Sequence, residues 1–497
     1  MRSFSILRLL LAAVCALLAG QAFATAISGI WKTNLGGTEG PALFFTFKVE
    51  GEKLTGSVES PWGNNELKDG RIEGDKFGFT VPFDGELIAY RCRVLANEEI
   101  EMELIGVGNG ELLKLRRTDE AALQASRQPA TSAQPPRPPR THAWWNERPV
   151  GQRAYTVDAK KLPLVSVQGN KFVDSSGAVV LFRGLAISDP DKLEMQGHWN
   201  REHFVQAKEL GARLIRIPVH PVAWRERTPP EYLRLLDQAV GWCTELDLYV
   251  MLDWHCIGNL VTGVFQDPMY DTTLEETNNF WRVMARHYAG HNTVVFYELF
   301  NEPTTYRNQL GPIAWADWKR IVEAQIALIR AANPQAIPVV AGFDWAYDLT
   351  PVRLEPIAAE RIAYSVHPYA NKRPQPWAAK WELDFGFVAD KYPVIATEFG
   401  GFPKAAAPTD ANTAATVASP APAGAPPAPA DGSPAPPPVK NATYGPEIIA
   451  YLESKGISWT VWCFDPEWGP TLIKNWNYDL SPSGEFAKQA LHGGTAH

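Results

Sequence analysis

Apolar and polar positions alternate with a period of two from about residue 25 to 118, and the alternation breaks at glycines. FFTFKV (44–49), KLTGSV (53–58), KFGFTV (76–81), LIAYRCRV (87–94) and EIEMEL (99–104) are strand-like. Turn signals at Glu50-Gly51, Asp69-Gly70 and Asp84-Gly85 separate them. The pattern predicts a small antiparallel meander, closed as a compact barrel or folded as a sandwich. Trp31 and Trp62 read as core or edge aromatics before they read as sugar-stacking residues.

From about residue 160 the pattern changes to strand and helix in alternation. Strands are predicted at VVLFRGLAIS (179–188), LIRIPV (214–219), YVMLDWH (249–255), VVFYELFNEP (294–303), IPVVAGF (337–343), IAYSVHPY (362–369), PVIATEF (393–399) and SWTVWCF (458–464). Amphipathic helical stretches lie between most of them, among them 231–247 and 315–334. Eight such units in one region predict an α/β fold of the (β/α)8, or TIM, barrel type rather than an open sheet. Residues 167–179 read as a hairpin capping the barrel bottom. The chain then divides into a leader (1–24), the small all-β domain (25–118), a Pro-rich linker (119–158) and the barrel domain (159–497). One segment stands apart: residues 405–440 are mostly Ala and Pro, with no aromatic, Leu or Ile. Nothing there can bury a core, so disorder is expected, between the seventh strand and the seventh helix.

Composition narrows the class. Of 497 residues, 45% are hydrophobic and 21% charged, enough to build cores and too apolar for general disorder. Residues 1–24 carry Arg2 and Arg8, an apolar run from Leu9 to Leu18 too short to span a bilayer, and an Ala22-Phe23-Ala24 cleavage pattern. Export is therefore expected, to a secreted or periplasmic location, with no membrane partner after cleavage. Loss of that leader takes the formal charge from −8 to −10, which argues against a nucleic-acid partner. Cys92, Cys243, Cys256 and Cys463 form no CxxC or metal-finger spacing. Eighteen Trp are more than a core needs and suit neutral, flat-faced ligands such as sugars.

In a barrel of this kind chemistry happens at the C-terminal strand ends. Those ends supply Arg216, His255, Asn301 with Glu302, His367 with Tyr369, Glu398 and Trp462. Glu302 closes the fourth strand in Asn-Glu-Pro, and Glu398 closes the seventh in Thr-Glu-Phe-Gly. Paired carboxylates across a cleft are what glycosidic cleavage needs: one protonates the departing oxygen, the other attacks or directs water. Competing acids are Glu298, Asp253, Asp465 and Glu467. Glu298 points away from the barrel top if Glu302 points into it, and Asp253 reads as structural. Taken singly, Arg216 also suits a barrel ion pair, the two histidines suit satisfied core positions, and Tyr369 and Trp462 suit packing. Trp224, Trp345, Trp468 and Tyr306 follow strand ends and are possible subsite platforms, or packing residues.

LIRIPV, MLDWH, YELFNEP, SVHPY, ATEFGG and SWTVWCF together resemble glycoside hydrolase family 5, over about residues 165–495. The small β-domain resembles the lipocalin-like domains that precede some secreted enzymes. The resemblance implies Glu302 as acid/base, Glu398 as nucleophile, Arg216 and Tyr369 supporting Glu398, and Asn301 on the sugar 2-hydroxyl. It implies His255 and His367 as orienting residues and Trp462 as a stacking floor. The expected activity is a retaining β-glycanase acting on a polysaccharide, foremost an endo-β-1,4-glucanase. An endo-β-mannanase or another β-glucan hydrolase of the family is the alternative, and a non-catalytic carbohydrate-binding protein is the alternative of another class. A monomer without cofactor is expected. The strand-end histidines are single, so no metal site is expected, and no Gly-x-Ser-x-Gly elbow occurs.

Overall fold

The structure is a computed structural model that describes residues 27–34, 42–51, 53–60, 63–83, 86–95, 99–105, 112–127, 143–150, 153–306, 308–402 and 443–493. The leader, residues 128–142, Trp62 and the Ala/Pro segment 405–440 lie outside the described residues, as do the expectations placed on them. The described residues fall into two units, up to residue 127 and from residue 143.

The first unit is an up-and-down barrel. Its strands run Gly29–Asn34, Ala42–Glu50, Lys53–Ser60, Lys68–Glu73, Lys76–Phe83, Glu86–Val94, Ile100–Ile105 and Leu112–Thr118, each antiparallel to the next. The last pairs back onto the first, Ile30 opposite Thr118, which closes the ring of eight. A short strand, Gly63–Glu66, adds to Lys53–Ser60. Period-two positions Phe45, Phe47, Phe77, Phe79, Tyr90, Cys92, Ile100, Met102, Leu113 and Leu115 fill one shared core. Phe79 and Tyr90 stack at 5.0 Å. Trp31 belongs to that core, with its Nε1 donating to the Ile27 carbonyl at 2.8 Å, so the sugar-stacking reading of Trp31 falls. Among the missed strands, Lys68–Glu73 is polar and buries no side chain fully, whereas Gly29–Asn34 and Leu112–Thr118 supply Trp31, Leu113 and Leu115 to the core. At Gly56, φ is +152° and a Cβ would sit 1.8 Å from the Thr46 carbonyl oxygen, so only glycine fits there.

The stretch read as linker from residue 119 opens instead with a helix, Glu120–Arg127. The Asp119 carboxylate accepts the Ala122 amide at 2.8 Å, an N-cap, and Leu123 is buried.

The second unit is a closed parallel barrel: β1 (Arg183–Ala186), β2 (Leu214–Val219), β3 (Tyr249–Trp254), β4 (Val294–Glu298), β5 (Ile337–Ala341), β6 (Ala363–Val366), β7 (Val394–Ala396) and β8 (Ser458–Val461). β2 through β8 are buried at every position, the mark of parallel strands covered on both faces. Helices Pro229–Glu245 and Trp315–Ala332 match the predicted ones closely, the former entered through Pro229-Pro230. A hairpin of Ser166–Gln168 and Lys171–Val173 closes the bottom, where the Phe172 ring meets Phe296 at 4.9 Å and Phe182 at 6.0 Å. The packed part of this unit starts earlier than residue 159. Trp144 lies edge-on to Trp224, and the Tyr155 amide donates to the His287 carbonyl at 2.7 Å.

Candidate active site

The parallel strands deliver their last residues to one end of the barrel. Arg216 is an interior residue of β2, wholly buried. Asp253 is the last residue but one of β3 with His255 just beyond the strand, and Glu298 ends β4. Past Glu298 the chain leaves the barrel sheet. It joins a small sheet in which Glu302–Pro303 runs parallel to Ile257–Asn259, itself antiparallel to Val264–Phe265. The Asn301 and Glu302 amides donate to the carbonyls of Trp254 and Cys256 at 3.1 and 3.0 Å. Glu302 is thus held by the extension of β3 as much as by its own strand. His367 and Tyr369 follow β6, Thr397 and Glu398 follow β7, and Trp462 follows β8.

One guanidinium organises the floor. Arg216 donates from Nε to Glu298 at 2.7 Å, from Nη1 to Glu398 at 3.0 Å, and from Nη2 to Asn301 Oδ1 at 2.6 Å and Asp253 at 2.9 Å. The Tyr369 hydroxyl donates to the other oxygen of Glu398 at 2.9 Å. Glu302 takes a different partner, His367 Nδ1 at 2.8 Å. His367 Nε2 meets the Thr397 hydroxyl at 3.0 Å, and that hydroxyl donates to Glu298 at 2.7 Å. His255 Nδ1 bonds Asp253 at 2.6 Å, and its ring stacks on Trp462 at 5.3 Å and 4°. One oxygen each of Glu302 and Glu398 and a nitrogen of His367 lie within 4.8 Å of one another. Asn301 Nδ2 is buried with no partner, a donor with its bond still to make.

Burial and charge work against each other throughout. Burial opposes ionisation of Glu298, yet Arg216, His367 and Thr397 outweigh it and hold the carboxyl at about 2. Burial lifts Asp253 well above the usual carboxylate range, against the pull of Arg216. Burial also pushes His255 far down, which keeps its ring neutral. His367 goes the other way: burial opposes its charge, but Glu398, Glu298 and Glu302 raise it to about 9. Burial raises Glu398, and the Glu302 carboxylate adds to that, while His367, Arg216 and the Tyr369 hydroxyl pull it back. Ionisation of one carboxyl of the pair therefore opposes ionisation of the other.

The eight strand-end residues Arg216, His255, Asn301, Glu302, His367, Tyr369, Glu398 and Trp462 converge on this site. Two exclusions do not hold. Glu298 does not point away from it; it lies inside, on Arg216 and Thr397, because β4 ends at Glu298 and the chain bends before Glu302. Asp253 is likewise part of the arrangement, on Arg216 and His255. Asp465 pairs with Lys192 at 2.6 Å and Ser188 at 2.5 Å, and Glu467 with Lys192 at 3.1 Å, so neither serves as the second carboxylate. Trp224 is no platform: it is 1% exposed and packed among Trp144, Tyr232 and Phe280. Trp468, Trp345 and Tyr306 are half-buried. Trp468 lies 6.0 Å from Trp462, and Tyr306 sits edge-on to Trp345 at 5.6 Å.

Sequence reasoning missed Thr397, His220 and Tyr270. The His220 ring lies 4.7 Å from His255 and 5.7 Å from Tyr270, and its Nδ1 bonds Asp189 at 2.9 Å. The Tyr270 ring also lies 6.3 Å from His255, and burial raises its hydroxyl, with Glu302 and Glu398 adding to the rise. His220 and Thr397 do end or follow strands. A wider reading of strand ends would have caught them, whereas Tyr270 comes from a loop with no periodic signal. Glu302, His367 and Glu398 come close enough to share an ion, a convergence that single strand-end histidines do not announce. Both His367 nitrogens are committed to Glu302 and Thr397, and its raised basicity keeps it protonated, so the trio is a hydrogen-bonded one.

Comparison with known proteins matches residues 173–467 to the family model described as cellulase, glycosyl hydrolase family 5. An endoglucanase of Paenibacillus polymyxa is 25% identical over 283 residues, 47% of this chain and 70% of the relative. Endoglucanase A of Butyrivibrio fibrisolvens is 27% identical over 271 residues, 51% of this chain and 56% of the relative. The crystal structure of a β-glucanase from Saccharophagus degradans in complex with cellotetraose is 41% identical, with a TM-score of 0.61. The match covers 71% of this chain and 99% of that one.

Proposed function

The chain belongs to glycosyl hydrolase family 5, and on that premise we propose that it hydrolyses a β-linked glucan with retention, as an endo-β-1,4-glucanase. The observation that carries the mechanism is the unequal dressing of two close carboxylates. Their nearest oxygens are within 4.8 Å, a closeness that favours the short carboxyl separation of a retaining pair, about 5–5.5 Å, over the about 6.5–9.5 Å of an inverting one. Glu398 accepts from a guanidinium and a phenol, which match an ionised nucleophile. Glu302 accepts from the His367 ring alone, so fewer donors hold its charge than hold that of Glu398, which fits it to the acid/base role.

A Glu398 oxygen attacks the anomeric carbon as the bond to the leaving oxygen breaks. Glu302 passes its proton to that oxygen. Water then attacks the glycosyl-enzyme, gives its proton back to Glu302 and frees Glu398, so the product keeps the β configuration. The unpartnered Asn301 amide suits the 2-hydroxyl of the cleaved sugar. Trp462, carried on the neutral His255, suits the sugar face. A β-1,4-glucan is favoured by the names of the endoglucanase relatives and by the cellotetraose bound to the 41%-identical β-glucanase. Both carboxylates are in place, which weighs against a binding protein on a dead barrel. Export to the periplasm or medium rests on residues 1–24, and no helix among the described residues is long and apolar enough to cross a membrane.

Azide separates the two roles. Glu398→Ala has no atom to form the glycosyl-enzyme, so azide attacks directly and yields the α-glycosyl azide. Glu302→Ala still forms the intermediate on substrates with a good leaving group, and azide then yields the β-glycosyl azide. Each change lowers turnover on glucan by several orders of magnitude, acid/base assistance alone being worth about 10²–10⁴-fold. Opposite anomers would exchange the roles, and near-normal activity in either variant would remove that residue from the chemistry.

A further inference from the structure

Four side chains form an unbroken buried line: Glu298, Thr397, His367 and Glu302. Only the last is a member of the proposed catalytic pair. The polarity of the line follows from proton counting. Thr397 has one hydroxyl proton, and it goes to Glu298 Oε1 at 2.7 Å. Toward His367 Nε2, 3.0 Å away, Thr397 therefore presents a lone pair, and Nε2 must carry a proton. The other ring nitrogen, Nδ1, faces Glu302 Oε1 at 2.8 Å.

We propose that Glu298 and Thr397 are positioning residues for the acid step, holding His367 as a donor on both sides so that the Glu302 proton resides on Oε2 for delivery to the leaving oxygen. The inference rests on the reading of Glu302 as acid/base and deepens it. With Nδ1–H donating to Oε1, that oxygen cannot hold the acid proton. If His367 loses its charge it keeps the Nε2 proton, and Nδ1 becomes an acceptor that draws the Glu302 proton onto Oε1. The acid then faces the histidine instead of the bond to be cleaved.

The surroundings agree with a charged ring. Burial opposes the charge, but Glu398 and Glu298, from β7 and β4, raise His367, and Glu302 from the small sheet adds to the rise while it is ionised. Arg216, from β2, donates to Glu298 and Glu398 and to Asp253 of β3, whose carboxyl burial lifts well above the usual range. Tyr369 bonds Glu398, burial keeps the Tyr270 hydroxyl protonated, and the neutral His255 adds no charge. Nothing else in the proposed mechanism uses Thr397 or Glu298.

The test is Thr397→Val, which keeps the shape and removes the hydroxyl, set against Thr397→Ser, which restores it. Losing the link to the Glu298 carboxylate weakens the charged ring, so the alkaline limb of kcat/KM on a soluble β-glucan moves acidward by about one unit. With the limb moved from about 9 to about 8, the valine variant is about two-fold slower at pH 8 and about five-fold slower at pH 9, and at pH 5 the two proteins are nearly equal. On an aryl β-glycoside whose leaving group needs no proton the two proteins react alike, and serine recovers the wild-type profile. An unchanged profile in an active, folded valine variant overturns the relay while leaving the proposed function standing. So does an equal loss on both substrates, which marks a merely structural role. Histidine ¹⁵N signals, assigned by their loss in His367→Gln, read the relay in the resting protein even if no glucan is cleaved. Both His367 nitrogens protonated at pH 7 support it, and a bare Nε2 refutes it.

Discussion

The small barrel and the large one each close eight strands on themselves, and they spend the enclosed space differently. In the small barrel neighbouring strands run in opposite directions. Each end of the ring collects strand starts and strand finishes alike, and the interior is a continuous apolar core from Trp31 to Leu115. In the large barrel all strands run one way, so its ends differ. The bottom is sealed by Phe172, Phe182, Tyr249 and Phe296, and the top gathers Arg216, Asp253, Glu298, His367 and Glu398. A parallel ring concentrates the last residues of eight strands in one place, and that place can hold a buried charge network only because every member has a partner.

The sharpest way to break this contrast is at Arg216. Arg216→Met leaves Asp253, Glu298 and Glu398 without their shared cation and costs about 3–5 kcal/mol, along with activity. Glu298, now held at about 2, loses its main support, so its carboxyl rises and the variant gains stability relative to wild type as pH falls. Calorimetry from pH 4 to 8 shows this as a narrowing gap on the acid side. A gap that is constant with pH would mean the guanidinium acts by packing alone.

Phe79→Ala makes the matching cut in the apolar ring, where Phe45, Phe47, Phe77 and Tyr90 surround the lost side chain. A loss of about 3–5 kcal/mol in the small unit is expected, with kcat on a short soluble oligosaccharide within about two-fold of wild type. Melting resolved by unit, with kcat alongside, checks it, and a large fall in kcat would show that catalysis leans on the small barrel.

His203 tests burial without partners in the large unit. Both its nitrogens are buried and unbonded, against Phe464 at 4.8 Å, and burial lowers it to about 4. The unfolded chain binds that proton near 6.5 and the folded one only near 4. Stability is therefore full above about 6.5 and falls by about 3 kcal/mol as pH drops to 4. Denaturant titrations of His203→Leu lose that slope, and an unaltered slope would assign acid sensitivity elsewhere.

The smallest expected effect is at the rim. Trp345 donates from Nε1 to Gln266 at 2.9 Å and carries Lys372 over its ring at 4.4 Å. Trp345→Ala raises KM for longer oligosaccharides by roughly several-fold, with little change in kcat. Equal KM across chain lengths would make it a packing residue like Trp224.

Much of this site was legible because strand ends are legible. Glu302 and Glu398 stand in the sequence at the finish of hydrophobic runs, and parallel topology does the rest. Glu298 was misplaced because the run 294–303 looks like one strand. The chain in fact breaks after Glu298, and Glu302 re-enters through pairing with Ile257, forty-odd residues earlier in the chain. Trp224 follows a strand end, which left platform and packing both open, and helix Pro221–Arg227 turns it into the core. The strand Lys68–Glu73 went unseen because it pairs through its backbone while its side chains stay in water.

By itself the sequence determined two sheet types, their order along the chain, and the residues standing at the C-terminal strand ends. Periodicity of two, alternation of strand with helix, and the positions of Glu, His and Arg are local properties that a chain carries before it folds. Tertiary structure decided the partners. Which carboxylate takes the guanidinium, which takes the imidazole, and that one threonine hydroxyl ties Glu298 to His367 depend on distances near 3 Å between residues up to 182 positions apart. Those distances exist only once the ring of strands has closed.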